Sequence, residues 1–258
     1  MAGPILTGRG IGKHFGGLQA LMDVDFEVPS SMIFAVIGPN GAGKTTLFNL
    51  ISGVHRDFAG EIRFESELIS HRPPHVISLM GIGRTFQNVR LFRNLSILEN
   101  VMVGCHGWIR PGFFRTIFGI RRIVADERCV RDWSKEMLRF VGLEDRAHLE
   151  VEALPLGDQK LLEIARALAA KPRLLLLDEP GAGLNDSEME KLKEIIYRIR
   201  EREITQVIVE HNMNFIMNIS DRIMVLDFGL KLAEGTPKEI LENEKVAEVY
   251  LGRESDFA

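Results

Sequence analysis

Cysteine is scarce in this chain of 258 residues, and the two that are present lie far apart. Cys105 and Cys129 form no C-x-x-C pair, so the spacing of a zinc site or of a dithiol redox motif is missing. No uncharged apolar run approaches the ~20 residues that a membrane-spanning helix requires, and the first residues show no apolar signal segment. We therefore expect reduced thiols, as in the cytosol, and no membrane span.

A surplus of positive charge is also missing. The 32 Lys and Arg residues against 36 Asp and Glu residues give a net charge of −4 and a pI near 6.0. Proteins that bind nucleic acids are usually basic, so we expect no nucleic-acid partner. The hydrophobic fraction of 45% and the charged fraction of 26% are ordinary for a globular protein. The length suits one large domain or two interlocked ones.

Short apolar and β-branched segments alternate with helical patterns along the chain. We predict strands at residues 5–10, 24–28, 33–37, 60–64, 173–177, 205–209, 222–227 and 230–234. Helices are predicted at residues 44–52, 159–169 and 213–219, and residues 91–150 look mostly helical. This alternation predicts an α/β fold with a mostly parallel sheet. The four leucines at 174–177 predict a strand that is buried on both faces.

Polar residues mark two further helix starts. Ser187 and Glu190 have the spacing of a capping box, which predicts a helix from there onward. Thr236 and Glu239 have the same spacing, and Pro237 between them suits the first helical position.

A glycine-rich segment after the predicted strand at 33–37 has the strongest functional signal. Residues 38–45 read GPNGAGKT and match G-x-x-x-x-G-K-[ST] between a strand and a helix. Glycines let backbone N–H groups surround a polyphosphate, and the helix N-terminus adds positive potential. We expect Lys44 to reach the β- and γ-phosphates and Thr45 to bind Mg²⁺. The predicted nucleotide-binding residues are Gly38, Pro39, Asn40, Gly41, Ala42, Gly43, Lys44, Thr45 and Thr46.

Two carboxylates, Asp178 and Glu179, follow the leucine strand. In an open parallel sheet, residues at the carboxyl ends of strands point into the binding crevice. One carboxylate can bind Mg²⁺, and the other can orient or deprotonate a water in line with the γ-phosphate. We predict that Asp178 is a metal ligand and that Glu179 is the general base. The guanine-reading motif N-K-x-D is missing, which disfavours a GTPase.

In order and spacing, these two motifs and four others resemble the ATP-binding subunits of ABC transporters over nearly the whole chain. The four others are RTFQN at residues 84–88, LPLGD at 154–158, GLN at 183–185 and VEHN at 209–212. The resemblance implies that Gln87 binds Mg²⁺ or bridges to the transporter, and that His211 hydrogen-bonds the γ-phosphate. It also implies that the ring of Phe15 stacks on adenine. The implied catalytic residues are therefore Glu179, His211 and Gln87, and the implied metal ligands are Thr45, Gln87 and Asp178.

The signature segment at 154–158 departs from the family's common LSGGQ at three positions. Pro155 removes the serine hydroxyl, Leu156 replaces a glycine and Asp158 replaces the glutamine. The resemblance still implies that Leu156, Gly157 and Asp158 face the nucleotide of a second subunit, with a helix starting near Gln159. An aspartate that pointed at the γ-phosphate would repel it. We therefore expect Asp158 to cap its own helix by accepting hydrogen bonds from first-turn amides.

The resemblance implies one ABC ATPase domain over residues 1–258. We expect a P-loop NTPase (RecA-like) core with a mostly parallel sheet, an antiparallel β subdomain and an inserted α-helical subdomain. Residues 1–90 and 158–258 would form the nucleotide-binding core with the β subdomain, and residues 91–157 the helical subdomain. The implied cofactors are ATP and Mg²⁺.

Several stretches are similar to the ATPases that energise branched-chain amino acid uptake, namely residues 15–17, 84–88, 95–104, 162–168 and 250–252. The implied function is the ATP-hydrolysing subunit of an importer for branched-chain or related amino acids, peripheral on the cytoplasmic face of the membrane. Its implied partners are membrane permeases, a second ATPase subunit of the same or a related sequence and, indirectly, a solute-binding protein.

Some alternatives stay open. The basic and aromatic segment at 108–124 is either a helix packed on its own subdomain or a surface toward membrane proteins and anionic lipid. A soluble ABC-type ATPase of DNA repair or translation is a second function, disfavoured because no long coiled-coil insertion or second cassette is visible. A nucleotide-binding regulator with little turnover is a third, and Glu179 and His211 argue against it.

Overall fold

Two β-sheets organise the chain, which a computed structural model describes over residues 3–107 and 120–251. In chain order the strands are β1 (Pro4–Phe15), β2 (Leu18–Pro29), β3 (Ile33–Ile37), β4 (Ala59–Phe64), β5 (Glu67–Leu68), β6 (Ile82–Arg84), β7 (Leu174–Asp178), β8 (Thr205–Val209), β9 (Arg222–Asp227) and β10 (Leu230–Gly235). The predicted strands are all present. The first two are longer than predicted, and β5 and β6 were not predicted.

The larger sheet has the strand order β10-β9-β3-β8-β7-β6. Its neighbours from β9 to β6 pair in parallel, and β10 pairs antiparallel with β9. The smaller sheet, β2-β1-β4-β5, is antiparallel throughout. The predictions of an α/β fold, a mostly parallel sheet and an antiparallel β region are confirmed.

The helices of the described residues lie on both faces of the larger sheet. They are α1 (Lys44–Ile51), α2 (Pro74–Leu79), α3 (Ile97–Gly104), α4 (Ile120–Val141), α5 (Leu156–Ala169), α6 (Asp186–Glu201), α7 (Met213–Ile219), α8 (Pro237–Leu241) and α9 (Glu244–Leu251). Helices α1 and α2 lie on the side of the smaller sheet and the others on the opposite side. Helix α5 packs against both α3 and α4. The expected subdomain boundary at residues 157–158 lies inside α5, and that division of the chain stays a prediction.

Two hydrophobic cores lie on opposite faces of the larger sheet. Successive side chains of a strand alternate between faces. In β7, Leu175 and Leu177 therefore pack in the core formed with the helices, whereas Leu174 and Leu176 pack toward α1 and the smaller sheet. All four leucines are fully buried, as the proline-bounded leucine run predicts.

Helix starts show where the predictions hold and where they are wrong. The Thr236–Glu239 capping box is present at α8. The predicted box at Ser187 and Glu190 is wrong, because Asn185 caps α6 and Glu188 completes the box two residues earlier. Asparagine caps a helix as well as serine does, so both registers satisfy the pattern. Helix α5 begins at Leu156 and its first hydrogen bond runs from Gln159 N to Pro155 O, so its start is earlier than predicted.

Part of one prediction lies outside the described residues. Most of the basic and aromatic segment at 108–124 falls in residues 108–119, and only the backbone of its remainder is described, as the start of α4. No helix within residues 3–107 and 120–251 is long and apolar enough to cross a membrane.

Candidate functional site

The glycine-rich loop between β3 and α1 is shaped by close contacts with two other strands. Gly38 has φ +149°, and a Cβ there would collide with the carbonyl oxygen of Leu226 in β9. Gly43 has φ +103°, and a Cβ there would lie 2.6 Å from the carbonyl oxygen of Ala20 in β2. Only glycine fits both the backbone angle and the space at these two positions. The surrounding strands therefore constrain the shape of the loop.

The loop leads into the N-terminus of α1, where no side chain caps the helix. Gly43 is the N-cap and has no side chain with which to cap the helix, and no acidic residue lies in the first turn. The first-turn N–H groups are therefore available to an anion, and the helix dipole adds positive potential there. Lys44, Thr45 and Thr46 form this first turn, so the predicted phosphate loop has the geometry of an anion site.

Lys44 is folded back over the loop. Its Nζ donates to the carbonyl oxygens of Gly38, at 2.8 Å, and of Pro39, at 2.9 Å. Burial lowers the pKa of Lys44, and the carboxylates of Glu179 and Asp178 oppose that shift. Phosphate oxygens are stronger partners for an ammonium group than neutral carbonyls. A polyphosphate in the loop would therefore attract Nζ away from these carbonyls.

A cavity of about 330 Å³ opens above the loop. This volume lies at the lower end of the range for small-molecule sites. The cavity brings together most of the predicted site, because its lining residues are Phe15, Leu18, Gln19, Ala20, Asn40, Gly41, Ala42, Gly43, Lys44, Thr45, Thr46, Gln87, Glu179 and His211.

The Glu179 carboxylate is held between two other predicted catalytic residues. Gln87 Nε2 donates to Oε2 at 2.9 Å, and His211 Nε2 lies 2.9 Å from Oε1. The backbone of Glu179 has φ +49°, and its carbonyl oxygen accepts a hydrogen bond from Lys160 Nζ at 2.8 Å. Three residues that are far apart in sequence thus meet at one carboxylate. Their roles toward Mg²⁺ and the γ-phosphate stay predictions.

Asp178 lies deeper, at the end of β7. It is 3% exposed, and its Oδ2 accepts from Arg84 Nη2 at 3.0 Å. Burial raises the pKa of Asp178, and the guanidinium of Arg84 opposes that shift. Its other oxygen, Oδ1, is buried and has no hydrogen-bond donor among the described residues. A buried carboxylate oxygen without a donor suits a cation ligand, so Asp178 fits Mg²⁺.

Phe15 lies at the rim of the cavity and is 41% exposed. Its ring makes an edge contact with His55, with centroids 5.1 Å apart, and Lys13 Nζ lies 4.9 Å from its centroid. These contacts orient the ring while leaving area free for a ligand. Stacking on adenine stays a prediction. Nothing in the sequence pattern pointed to His55.

The signature residues lie outside the cavity lining. Leu156 is about half exposed, and a Cβ on Gly157 would lie 2.5 Å from Glu188 Oε1. A side chain at position 157 would therefore displace the Glu188 carboxylate, which completes the capping box of α6. Binding of the nucleotide of a second subunit by Leu156, Gly157 and Asp158 stays a prediction.

The predicted capping role of Asp158 is wrong. Its carboxylate forms an ion pair with Arg146 from the neighbouring 3₁₀ turn, and no side chain caps α5. The reason is positional: Pro155 occupies the N-cap, and Asp158 comes three residues later, within reach of the guanidinium. A charged partner is stronger than a backbone amide.

Two buried charged residues that the sequence pattern missed hold the backbone around Glu179 and His211. Lys160 is buried on α5 and contacts the Glu179 backbone. Glu210 is buried beside His211, where it accepts from the backbone N–H groups of Gly181 and His211. Burial lowers the pKa of Lys160 and raises that of Glu210. The signal for Lys160 was a charged residue in the mostly apolar helix α5, and the signal for Glu210 was its place beside His211 in the VEHN motif.

Known proteins are similar to this chain over nearly its whole length. The sequence profile described as ABC transporter matches residues 21–182, and the one described as branched-chain amino acid ATP-binding cassette transporter matches residues 231–256. The high-affinity branched-chain amino acid transport ATP-binding protein BraF of Pseudomonas aeruginosa is 40% identical, with 98% of this chain and 99% of that protein covered. The corresponding protein LivG of Escherichia coli is 39% identical, with the same coverage.

A solved structure is similar over the same length. The crystal structure of the ADP conformation of an ATP-binding cassette of an ABC transporter has a TM-score of 0.83 and 29% identity. The similarity covers 97% of this chain and 100% of that one.

Proposed function

The chain belongs to the family of ABC transporter ATP-binding subunits, and on this premise we propose that it hydrolyses ATP to drive the uptake of branched-chain amino acids through membrane permeases. The observation that carries the chemistry is the Glu179 carboxylate, held by Gln87 and His211 beside the phosphate loop. The names of the relatives that align over nearly the whole chain support the solute class. The soluble alternative in DNA repair or translation is not favoured.

The proposed reaction uses residues of the cavity in three roles. Lys44 and the first-turn amides of α1 bind the phosphates and neutralise their charge. The Glu179 carboxylate accepts a proton from a water that attacks the γ-phosphorus, while the bond to the β–γ bridging oxygen breaks and ADP leaves. His211 and Gln87 orient that carboxylate.

Thr45, Asp178 and Gln87 are the residues that would hold Mg²⁺, which supplies charge neutralisation to the phosphates when bound. The unpartnered Oδ1 of Asp178 supports its part in this set. The amide of Gln87 is engaged by Glu179 in this structure, so its carbonyl oxygen is the atom suited to a cation.

We propose that two ATPase subunits work together, the second being either another copy of this chain or a related one. The three signature residues lie outside the cavity of their own chain, and Leu156 is exposed, which supports a role opposite a second subunit's phosphate loop. ATPase activity of the assembled complex should rise more than linearly with subunit concentration. An active complex that contains one ATPase subunit and shows linear dependence would contradict this.

A second and larger cavity, of about 1180 Å³, offers a place for the permease. Phe86, which precedes Gln87, lines this cavity. The exposed side chains of Leu79 and Phe92 line it as well, together with the cationic side chains of Arg90 and Arg166. Exposed apolar side chains with a positive rim suit an amphipathic, acidic cytoplasmic segment of a permease. This attachment would place the chain on the cytoplasmic face, and the solute-binding protein would be reached only through the permease.

The test is transport in proteoliposomes that contain the permeases encoded beside this gene. Uptake of radiolabelled leucine should require ATP and this chain, and Glu179→Gln should assemble normally but fail to drive uptake. Competition with other amino acids, amides and urea would define the solute. Two results together would contradict the proposal and favour the soluble alternative: no permease copurifies with the chain, and nucleic acid stimulates its ATPase activity.

A further inference from the structure

Arg84 is a buried cation at the end of β6, immediately before the Gln87 segment. Its guanidinium lies over the rings of Phe48 and Phe86, with its central carbon 5.8 Å and 5.2 Å from the two centroids. Both rings are within the range of a cation–π contact. A planar group held in this way donates its hydrogen bonds in fixed directions.

These hydrogen bonds reach two other segments of the chain. Nη1 donates to Asn49 Oδ1 at 2.8 Å and to Ser52 Oγ at 2.6 Å. Nη2 donates to Asp178 Oδ2 at 3.0 Å. One guanidinium therefore connects the C-terminal end of α1, the end of β7 and its own strand.

The connected segments are the ones that hold the proposed Mg²⁺ ligands. Thr45 lies in the first turn of α1, Asp178 ends β7, and Gln87 follows Arg84 by three residues. The bond to Oδ2 leaves Oδ1 of Asp178 as the unpartnered oxygen. Arg84 thereby selects which carboxylate oxygen is available and sets the spacing between α1 and β7.

We propose that Arg84 is a positioning residue for Mg²⁺, which acts by orienting Asp178 relative to Thr45. This inference rests on the proposed function, because it assumes that the cavity binds ATP with Mg²⁺. Charge alone predicts the opposite effect: a cation beside a metal ligand repels the metal, so its removal would strengthen Mg²⁺ binding. The positioning role predicts that its removal weakens Mg²⁺ binding.

The experiment measures the affinity of the purified chain for a fluorescent ATP analogue, once with Mg²⁺ and once with EDTA. The ratio of the two affinities is the gain due to the metal. Arg84→Lys and Arg84→Met should each reduce this gain by about 10-fold, the lower end of the effect of residues that orient metal ligands. Affinity in EDTA should stay at the wild-type value. Lysine fails because a single ammonium cannot span the three acceptors.

Arg173 offers a matched control. Its guanidinium lies 5.2 Å from the Phe64 ring, pairs with Glu65 and donates to Met80 O at 2.7 Å, all away from the cavity. Arg173→Lys and Arg173→Met should therefore leave the gain unchanged.

Three results would overturn the proposal: an unchanged gain in Arg84→Lys, an increased gain, or equal losses with Mg²⁺ and EDTA. Equal losses would mean that Arg84 supports the fold alone. Because Arg84→Lys keeps a positive charge beside the buried Asp178, it decides the question if Arg84→Met does not fold. Failure of the wild-type chain to bind any nucleotide would instead contradict the proposed function.

Discussion

The phosphate loop and the signature segment differ in what completes them. The loop is held by its own chain, since Gly38 and Gly43 fit against the carbonyl oxygens of β9 and β2, and its residues line a cavity. The signature segment is half exposed at Leu156, and its residues line no part of that cavity. The described residues thus form a candidate phosphate site within one chain and a surface whose proposed ligand belongs to another subunit.

This difference indicates which departures from the family's sequence pattern disturb the packing of the isolated chain. A substitution at Gly38 would disturb backbone packing in the isolated chain. The change at Asp158 is accommodated locally, because its carboxylate has a partner in Arg146, and the retained Gly157 lies against the Glu188 side chain. The two regions should therefore respond differently to mutation, both in size of effect and in the assay that detects it.

The largest effect is expected at the catalytic carboxylate. Glu179→Gln should slow ATP hydrolysis by roughly 10²–10⁴-fold and preserve ATP binding, because the amide cannot accept a proton from water. Phosphate release, measured with the permeases present, checks this. Glu190→Gln, on the exposed face of α6, is the matched control and should hydrolyse ATP normally. Normal turnover in Glu179→Gln would exclude the general-base role.

Next come two glycines of the phosphate loop. Gly38→Ala should lower the free energy of unfolding by about 3 kcal/mol, because its Cβ collides with the Leu226 carbonyl oxygen. Gly41→Ala should lower it by about 1–2 kcal/mol, because φ is +82° but nothing lies within 4 Å of its Cβ. Denaturant unfolding of both variants tests the ranking. Equal losses would mean that the surrounding strands do not shape the loop.

A smaller effect is expected at the signature segment. The Asp158–Arg146 pair is partly exposed, so a double-mutant cycle of Asp158→Asn and Arg146→Met should give a coupling below about 1 kcal/mol. Because Arg146 holds the carboxylate, the double variant Asp158→Gln, Glu179→Gln should dimerise at the same ATP concentration as Glu179→Gln alone. Sedimentation across an ATP titration measures this. Dimerisation at lower ATP would mean that the aspartate opposes the partner's phosphate.

The last effect appears only at high pH and concerns Tyr250, which joins the C-terminal helix to the phosphate loop. Burial raises the pKa of Tyr250 to about 12, opposed by a hydrogen bond with the Gly38 backbone. Because the unfolded chain loses this proton first, the stabilisation is complete below about pH 10 and falls as the pH rises toward 12. Tyr250→Phe should remove this part of the pH dependence. Identical unfolding curves of the two proteins against pH would contradict it.

The local sequence predicted the strands, the phosphate loop and the Thr236 cap because each depends on neighbouring residues. The uninterrupted leucine run between Pro172 and Pro180 predicted β7 as a strand buried on both faces, and the glycine spacing predicted the loop before α1. The Asn185 cap was missed because two registers satisfied the same short pattern. Where two local solutions are equal, packing decides between them, as Glu188 does by contacting Gly157.

The sequence by itself determined which residues of the phosphate loop and of the leucine strand could meet a nucleotide, since their order follows from adjacent strand, loop and helix signals. Only the tertiary structure decided which side chains hold those residues in place. Arg84 meets Asp178 across 94 positions and Arg146 meets Asp158 across 12. Such pairs form because strands and helices bring distant segments together. No local periodicity records a partner on another element, and the energy of a buried charge depends on that partner.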